Sequence, residues 1–179
     1  MTSELLEHFE RAIRLRNPRL ADSLQPGLPE DDIRKMLDAA TVEGEIDPIV
    51  SFFAWRNGSR LAPNVLLAGA SPFPHCIYVF ADLKTMIEHF SEFREGFVYH
   101  PKALEVDQRY FPLFWDNSTG YLAVDLKSSK GRMVLLDPES EDLAHEAYGS
   151  FEEFLKDAIR ANKENDGLAG FRTISISPN

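Results

Sequence analysis

Between Tyr110 and Leu136, short β-prone runs alternate with turns too short to carry a crossover. Tyr110-Phe111-Pro112-Leu113-Phe114-Trp115 leads into the turn Asp116-Asn117-Ser118-Thr119-Gly120. Tyr121 to Leu126 follows, with Leu122, Val124 and Leu126 alternating against Ala123 and Asp125, and Ser128-Ser129-Lys130-Gly131 then turns the chain into Met133-Val134-Leu135-Leu136, stopped by Asp137-Pro138. Short turns join antiparallel neighbours, so these runs predict an antiparallel meander. Pro112 has no N–H to donate, which predicts an edge or an entry point for the first strand.

Helical patterns flank the meander. Leu5, Leu6, Phe9, Ala12 and Ile13 share one face of a helix that Ser3 is placed to cap and Pro18 to end. After a loop at Gln25-Pro26-Gly27, Pro29 opens a helix with Glu30, Asp31 and Asp32 at the positive end of its dipole and Ile33, Met36, Leu37 and Ala40 facing inward. Asp47 to Gly58 reads as a complete short helix, with Asp47 as N-cap, Pro48 in the first turn, Ile49, Phe52 and Phe53 buried, and Asn57-Gly58 as a left-handed stop. Val65-Leu66-Leu67 and Ile77-Tyr78-Val79-Phe80 read as strands, and Asp82 caps a helix in which Leu83, Met86, Ile87 and Phe90 repeat until Gly96. Ser150 and Glu153 are the two ends of a capping box, opening a helix with Phe151, Phe154, Leu155, Ala158 and Ile159 on one face. Phe171 to Ile176 is a strand-like run in the tail.

Together these patterns predict an α+β fold in a single domain over residues 1–179. Its parts are a helical region to 58, a largely antiparallel sheet with inserted and closing helices over 59–166, and a tail from 167. The N-terminal helices and the C-terminal helix are expected to pack around the sheet. Trp55, Asn57, Gly58, Ser150 and Glu153 are assigned to holding this fold.

Composition narrows the function. With 179 residues, 44% apolar and 27% charged, the chain can bury a sizeable core and is not of disordered composition. No apolar run approaches the roughly 20 residues of a membrane span. Met1-Thr2-Ser3-Glu4 lacks the layout of a signal peptide, so a cytoplasmic location is expected. Cys76 is the only cysteine, which leaves no internal disulfide and no thiolate metal cluster. The net charge of -10 is uneven: residues 22–54 hold eight acids and two bases, and residues 134–166 hold ten acids and three bases. Such blocks oppose nucleic acid and anionic lipid and favour a basic protein partner.

Catalytic and cofactor patterns are absent from the sequence. His8, His75, His89, His100 and His145 form no HxH or HExxH set. There is no G-x-S-x-G elbow and no phosphate-binding glycine loop. Glu139, Glu141 and Asp142 imitate a glycosidase pair only in residue type, since that chemistry depends on a carboxylate separation the sequence does not state. The expectation is a non-enzyme without metal or cofactor.

Three ordered segments resemble the SUKH superfamily, which includes SMI/KNR-type cell-wall regulators and many bacterial immunity proteins. Phe52-Phe53-Ala54-Trp55-Arg56-Asn57-Gly58 is similar to the family's apolar helix closed by Asn-Gly. Phe111 to Phe114 with Gly120 to Leu126 is similar to its central hairpin, and Gly131 to Leu136 with Ala147 to Leu155 to its closing strand and Ser-Phe-x-x-Phe-Leu helix. Ser59 stands where the family often has a second glycine, and Gly120 is alone in a turn that is often glycine-rich. The resemblance implies a binding protein, in the leading form an immunity protein that neutralises a cognate, basic toxin domain. The alternative is a regulatory scaffold for an endogenous protein. Expected partner contacts are Asp116 and Asn117 at the hairpin turn and Asp137, Glu139, Glu141 and Asp142 after the last meander strand, set around an aromatic or apolar anchor.

Overall fold

The N-terminal third is helical because its apolar residues recur every three or four positions. α1 (Thr2–Arg16) buries Leu6, Phe9, Ala12 and Ile13. Ser3 lies within this helix, and Pro18 begins the next one: Asn17 accepts a hydrogen bond from the Leu20 N–H and caps α2 (Pro18–Ser23). β1 (Leu24–Pro26) occupies the expected loop, and α3 (Glu30–Ala39) carries its three acids in the first turn and buries Ile33 and Leu37. The structure is a computed structural model that describes residues 2–61, 71–76, 78–96, 108–116, 120–137 and 143–172.

α4 (Asp47–Trp55) confirms the helix but not its two ends. Ile46 occupies the N-cap position, and the Asp47 carboxylate instead accepts from Arg34 at 2.8 Å. Arg56 leaves the helix in extended conformation, φ -148 and ψ 136, and Asn57-Gly58 lie in β2 (Arg56–Ser59), paired antiparallel with β1. The left-handed preference is used one step later, by Gly58 at φ +81.

α5 (Leu83–Gly96) follows, with the Asp82 carboxylate accepting from the Thr85 N–H. β3 (Tyr110–Trp115), β4 (Tyr121–Asp125) and β5 (Met133–Leu136) form the expected meander, and β6 (Ala144–Tyr148) extends it to a four-stranded antiparallel sheet in chain order. β3 is the edge strand, as Pro112 requires. Its register shifts between Pro112 and Phe114, and beyond it, among the described residues, lies a single bridge from Trp115 to Val79. The expected strand at 77–80 is therefore reduced to that bridge, with Ile77 outside the described residues, as are Val65-Leu66-Leu67.

α6 (Phe151–Glu164) packs against α1, and α7 (Ala169–Arg172) takes up the start of the expected tail strand, whose residues 173–176 lie outside those described. The result is an α+β fold with two antiparallel sheets. Its core is one contiguous cluster centred on aromatic rings. Phe52, fully buried, lies 4.8 Å from Phe80, 5.2 Å from Phe114 and 6.1 Å from Phe151 between ring centroids, so α4, the 78–81 segment, the sheet and α6 meet on one side chain. Full burial of a phenylalanine contributes on the order of 1.5–3 kcal/mol, and each well-placed ring pair adds roughly 0.5–1.5 kcal/mol.

Candidate functional site

At one end of the four-stranded sheet, the meander register places acids beside half-buried aromatic rings. Trp115 pairs with Tyr121, and Tyr121 pairs with Leu136, so Asp116 and Asp137 each directly follow a partner of Tyr121. α5 packs on β3 and brings His89 to the same place, with ring centroids 4.8 Å from Trp115 and 5.5 Å from Tyr121. Glu92 lies one turn further along α5, its carboxylate 3.5 Å from His89 Nδ1.

One carboxylate, Asp116, acts on more than one phenol at this sheet end. Burial, then the Asp116 and Asp137 carboxylates among other neighbours, pushes the Tyr78 phenol upward. Burial, then Glu92 and Asp116, pushes Tyr121 up to about 12. Two acids expected from sequence to contact a partner thus converge on Tyr78, and one of them also acts on Tyr121. Asp116 has a structural task as well, since its Oδ1 accepts from the Gly120 N–H at 3.0 Å and closes the β3–β4 turn. Asp137 is half-buried, and its N–H donates to the Leu143 carbonyl at 3.0 Å. Asn117, Glu139, Glu141 and Asp142 lie outside the described residues.

Chemically, this surface suits a cationic side chain. Indole and phenol faces attract ammonium and guanidinium groups through their quadrupoles, and the surrounding carboxylates add charge. Among the described residues no group of three or more His, Cys, Asp or Glu side chains is arranged to hold a metal ion, and no helix is long and apolar enough to cross a membrane.

The residues assigned to the fold are each tied into it. Trp55 stacks on Phe80 at 6.0 Å and packs on Phe9 at 5.8 Å. Asn57 Oδ1 accepts from the Leu83 N–H at 2.9 Å, so it helps start α5 and does not close α4. Ser150 Oγ accepts from the Glu153 N–H at 3.2 Å, and Glu153 accepts in return from Gly149 N–H, a capping box displaced by one residue.

Ser150 and Glu153 also line an open cleft of about 810 Å³. It lies between the first turns of α4 and α6 and the β4–β5 turn, at the opposite end of β4 and β5 from Asp116 and Asp137. Glu45 and Asp47 from the first acidic block and Glu152 and Glu153 from the second all line it, with Lys130 and Lys156. The sequence shows both blocks but not their meeting, which depends on how α6 docks beside α4.

Of the residues around Trp115, the sequence pointed to Asp116 and Asp137 but not to His89 or Glu92. His89 is one scattered histidine among five until α5 is placed on β3. Compared with known proteins, the sequence matches no family model and no curated protein.

Proposed function

We propose that this chain is a non-enzymatic protein-binding domain that docks a basic partner on the Trp115–Tyr121 end of its sheet. In the leading form it is a SUKH-like bacterial immunity protein that occludes a toxin domain. In the alternative it is an SMI/KNR-type scaffold for an endogenous protein. What supports this function is one convergence at a sheet end: Asp116 and Glu92 act on half-buried Tyr121, which pairs with half-buried Trp115, and Asp116 and Asp137 act on Tyr78 beside them. Interface hot spots are enriched in tryptophan and tyrosine, and a rim of like charge selects partners of the opposite sign.

The test is affinity capture with the tagged chain in the organism that makes it, followed by rate measurements on the captured protein. A basic toxin domain supports the immunity form, and a basic housekeeping protein supports the scaffold. Asp116→Asn keeps an oxygen for the Gly120 N–H while removing the charge. Combined with Asp137→Asn, it is expected to slow association roughly tenfold at low salt and to flatten the salt dependence. Association at an unchanged rate and salt slope would reject this surface, and capture of only acidic proteins would reject the charge argument.

A further inference from the structure

Among the described residues, α5 meets the sheet through one polar contact set among apolar ones. Met86 and Phe90 are buried, with Phe90 5.5 Å from Phe111 between ring centroids. His89, its side chain 16% exposed, lies against Trp115 and Tyr121. Its Nδ1 faces two groups, the Tyr121 hydroxyl at 3.3 Å and the Glu92 carboxylate at 3.5 Å. These neighbours make opposite demands on that nitrogen. Neutral with its proton on Nε2, it accepts from the Tyr121 O–H; protonated, it donates to Glu92. Tyr121, pushed up to about 12 by burial and then by Glu92 and Asp116, keeps its proton and remains able to donate.

We propose that His89 is a proton-operated latch between α5 and the β3–β4 edge, covering one face of Trp115 while it accepts from Tyr121 and uncovering that face when it turns to Glu92. Glu92 is 69% exposed, so pairing with it draws the imidazole outward. Among the described residues, the ionisable groups around the ring are Glu88 and Glu92 on α5 and Tyr121 on the sheet, with Asp116 acting on Tyr121. Trp115 presents its ring to the imidazole. Burial outweighs the pull of Glu92 and Glu88 and holds the imidazole below its ordinary value, so the latch opens on the acid side of neutrality. The latch is a property of the chain alone and does not depend on the proposed partner.

The test uses the full chain carrying Trp55→Phe, which leaves Trp115 as the reporter. Trp55 Nε1 is buried without a hydrogen-bond partner among the described residues, so that substitution removes no bond seen there. Imidazole nitrogen shifts and Trp115 emission are followed over roughly pH 4.5 to 8. The expected His89 is the tautomer protonated on Nε2, with a midpoint below about 6.5, and Trp115 emission shifts to the red with that same midpoint. Tyr121→Phe removes the donor to the neutral form and should raise the midpoint by about half a unit or more. His89→Phe should abolish the Trp115 transition. Emission that stays flat through the His89 titration, or a transition that survives in His89→Phe, would overturn the latch. If His89→Phe does not fold, an unmoved midpoint in Tyr121→Phe overturns it equally.

Discussion

Gly58 stands where two backbones almost touch. At φ +81, a Cβ built there would lie 2.6 Å from the Asp82 nitrogen and 2.7 Å from the Ala81 carbonyl carbon, both backbone atoms with little freedom to retreat. Gly58→Ala is therefore expected to cost roughly 2–4 kcal/mol, from the left-handed strain and the close approach together, read as a lowered denaturant midpoint. Arg109 and Asp125 make a different kind of residue-scale claim. The Arg109 guanidinium donates to both Asp125 carboxylate oxygens, at 3.0 and 3.1 Å, and the Asp125 side chain is only 3% exposed. Burial alone would raise that carboxyl; Arg109, the Lys127 N–H and Arg132 outweigh burial and hold it below its ordinary value. Because the folded value is the lower one, the pair stabilises fully above the unfolded carboxyl range, and its contribution is lost as pH falls below about 4. Arg109→Ala leaves the carboxylate buried and, with Arg109 itself one-third exposed, should cost about 2–3 kcal/mol at pH 7 in chemical denaturation, less at pH 3. At this scale the sequence was half legible. Asn57-Gly58 advertised a left-handed stop to α4 that the structure does not use there; Gly58 takes its positive φ within β2 beside α5, and Asn57 caps a helix start 26 residues away.

Elements were legible where their signals were local. The capping box at Ser150 and Glu153 and the proline-opened α3 and α4 each carry their instructions within a few residues, whereas the apolar alternation of β4 did not tell that both of its faces are buried. Ser150→Ala is expected to lower stability by about 1 kcal/mol, measured by thermal unfolding, because the Glu153 N–H loses its acceptor at the start of α6. β6 was not legible. Ala144-His145-Glu146-Ala147-Tyr148 alternates weakly and sits within an acidic block, and it becomes a strand because β5 offers an unpaired edge in the right register. The short strands β1 and β2 were hidden for the same reason, since each is held by the other across about 30 residues of chain.

The whole molecule turns a charge pattern into distinct surfaces. Both acidic blocks contribute to the cleft beside α4 and α6, whereas at the Trp115–Tyr121 end of the sheet Asp116 and Glu92 act on Tyr121, and Asp137 follows Leu136, the β5 partner of Tyr121. Charge alone therefore nominates two places for a basic partner, and the aromatic anchor distinguishes them, because buried ring area supplies affinity where rim charge mainly supplies rate. Hydroxyl-radical footprinting of the chain, alone and saturated with its captured partner, separates these surfaces most directly. Oxidation of Trp115 and Tyr121 is expected to fall severalfold in the complex while residues of the α4–α6 cleft keep their free-state rates. Unchanged oxidation of Trp115 and Tyr121 in a saturated complex would contradict the proposed interface.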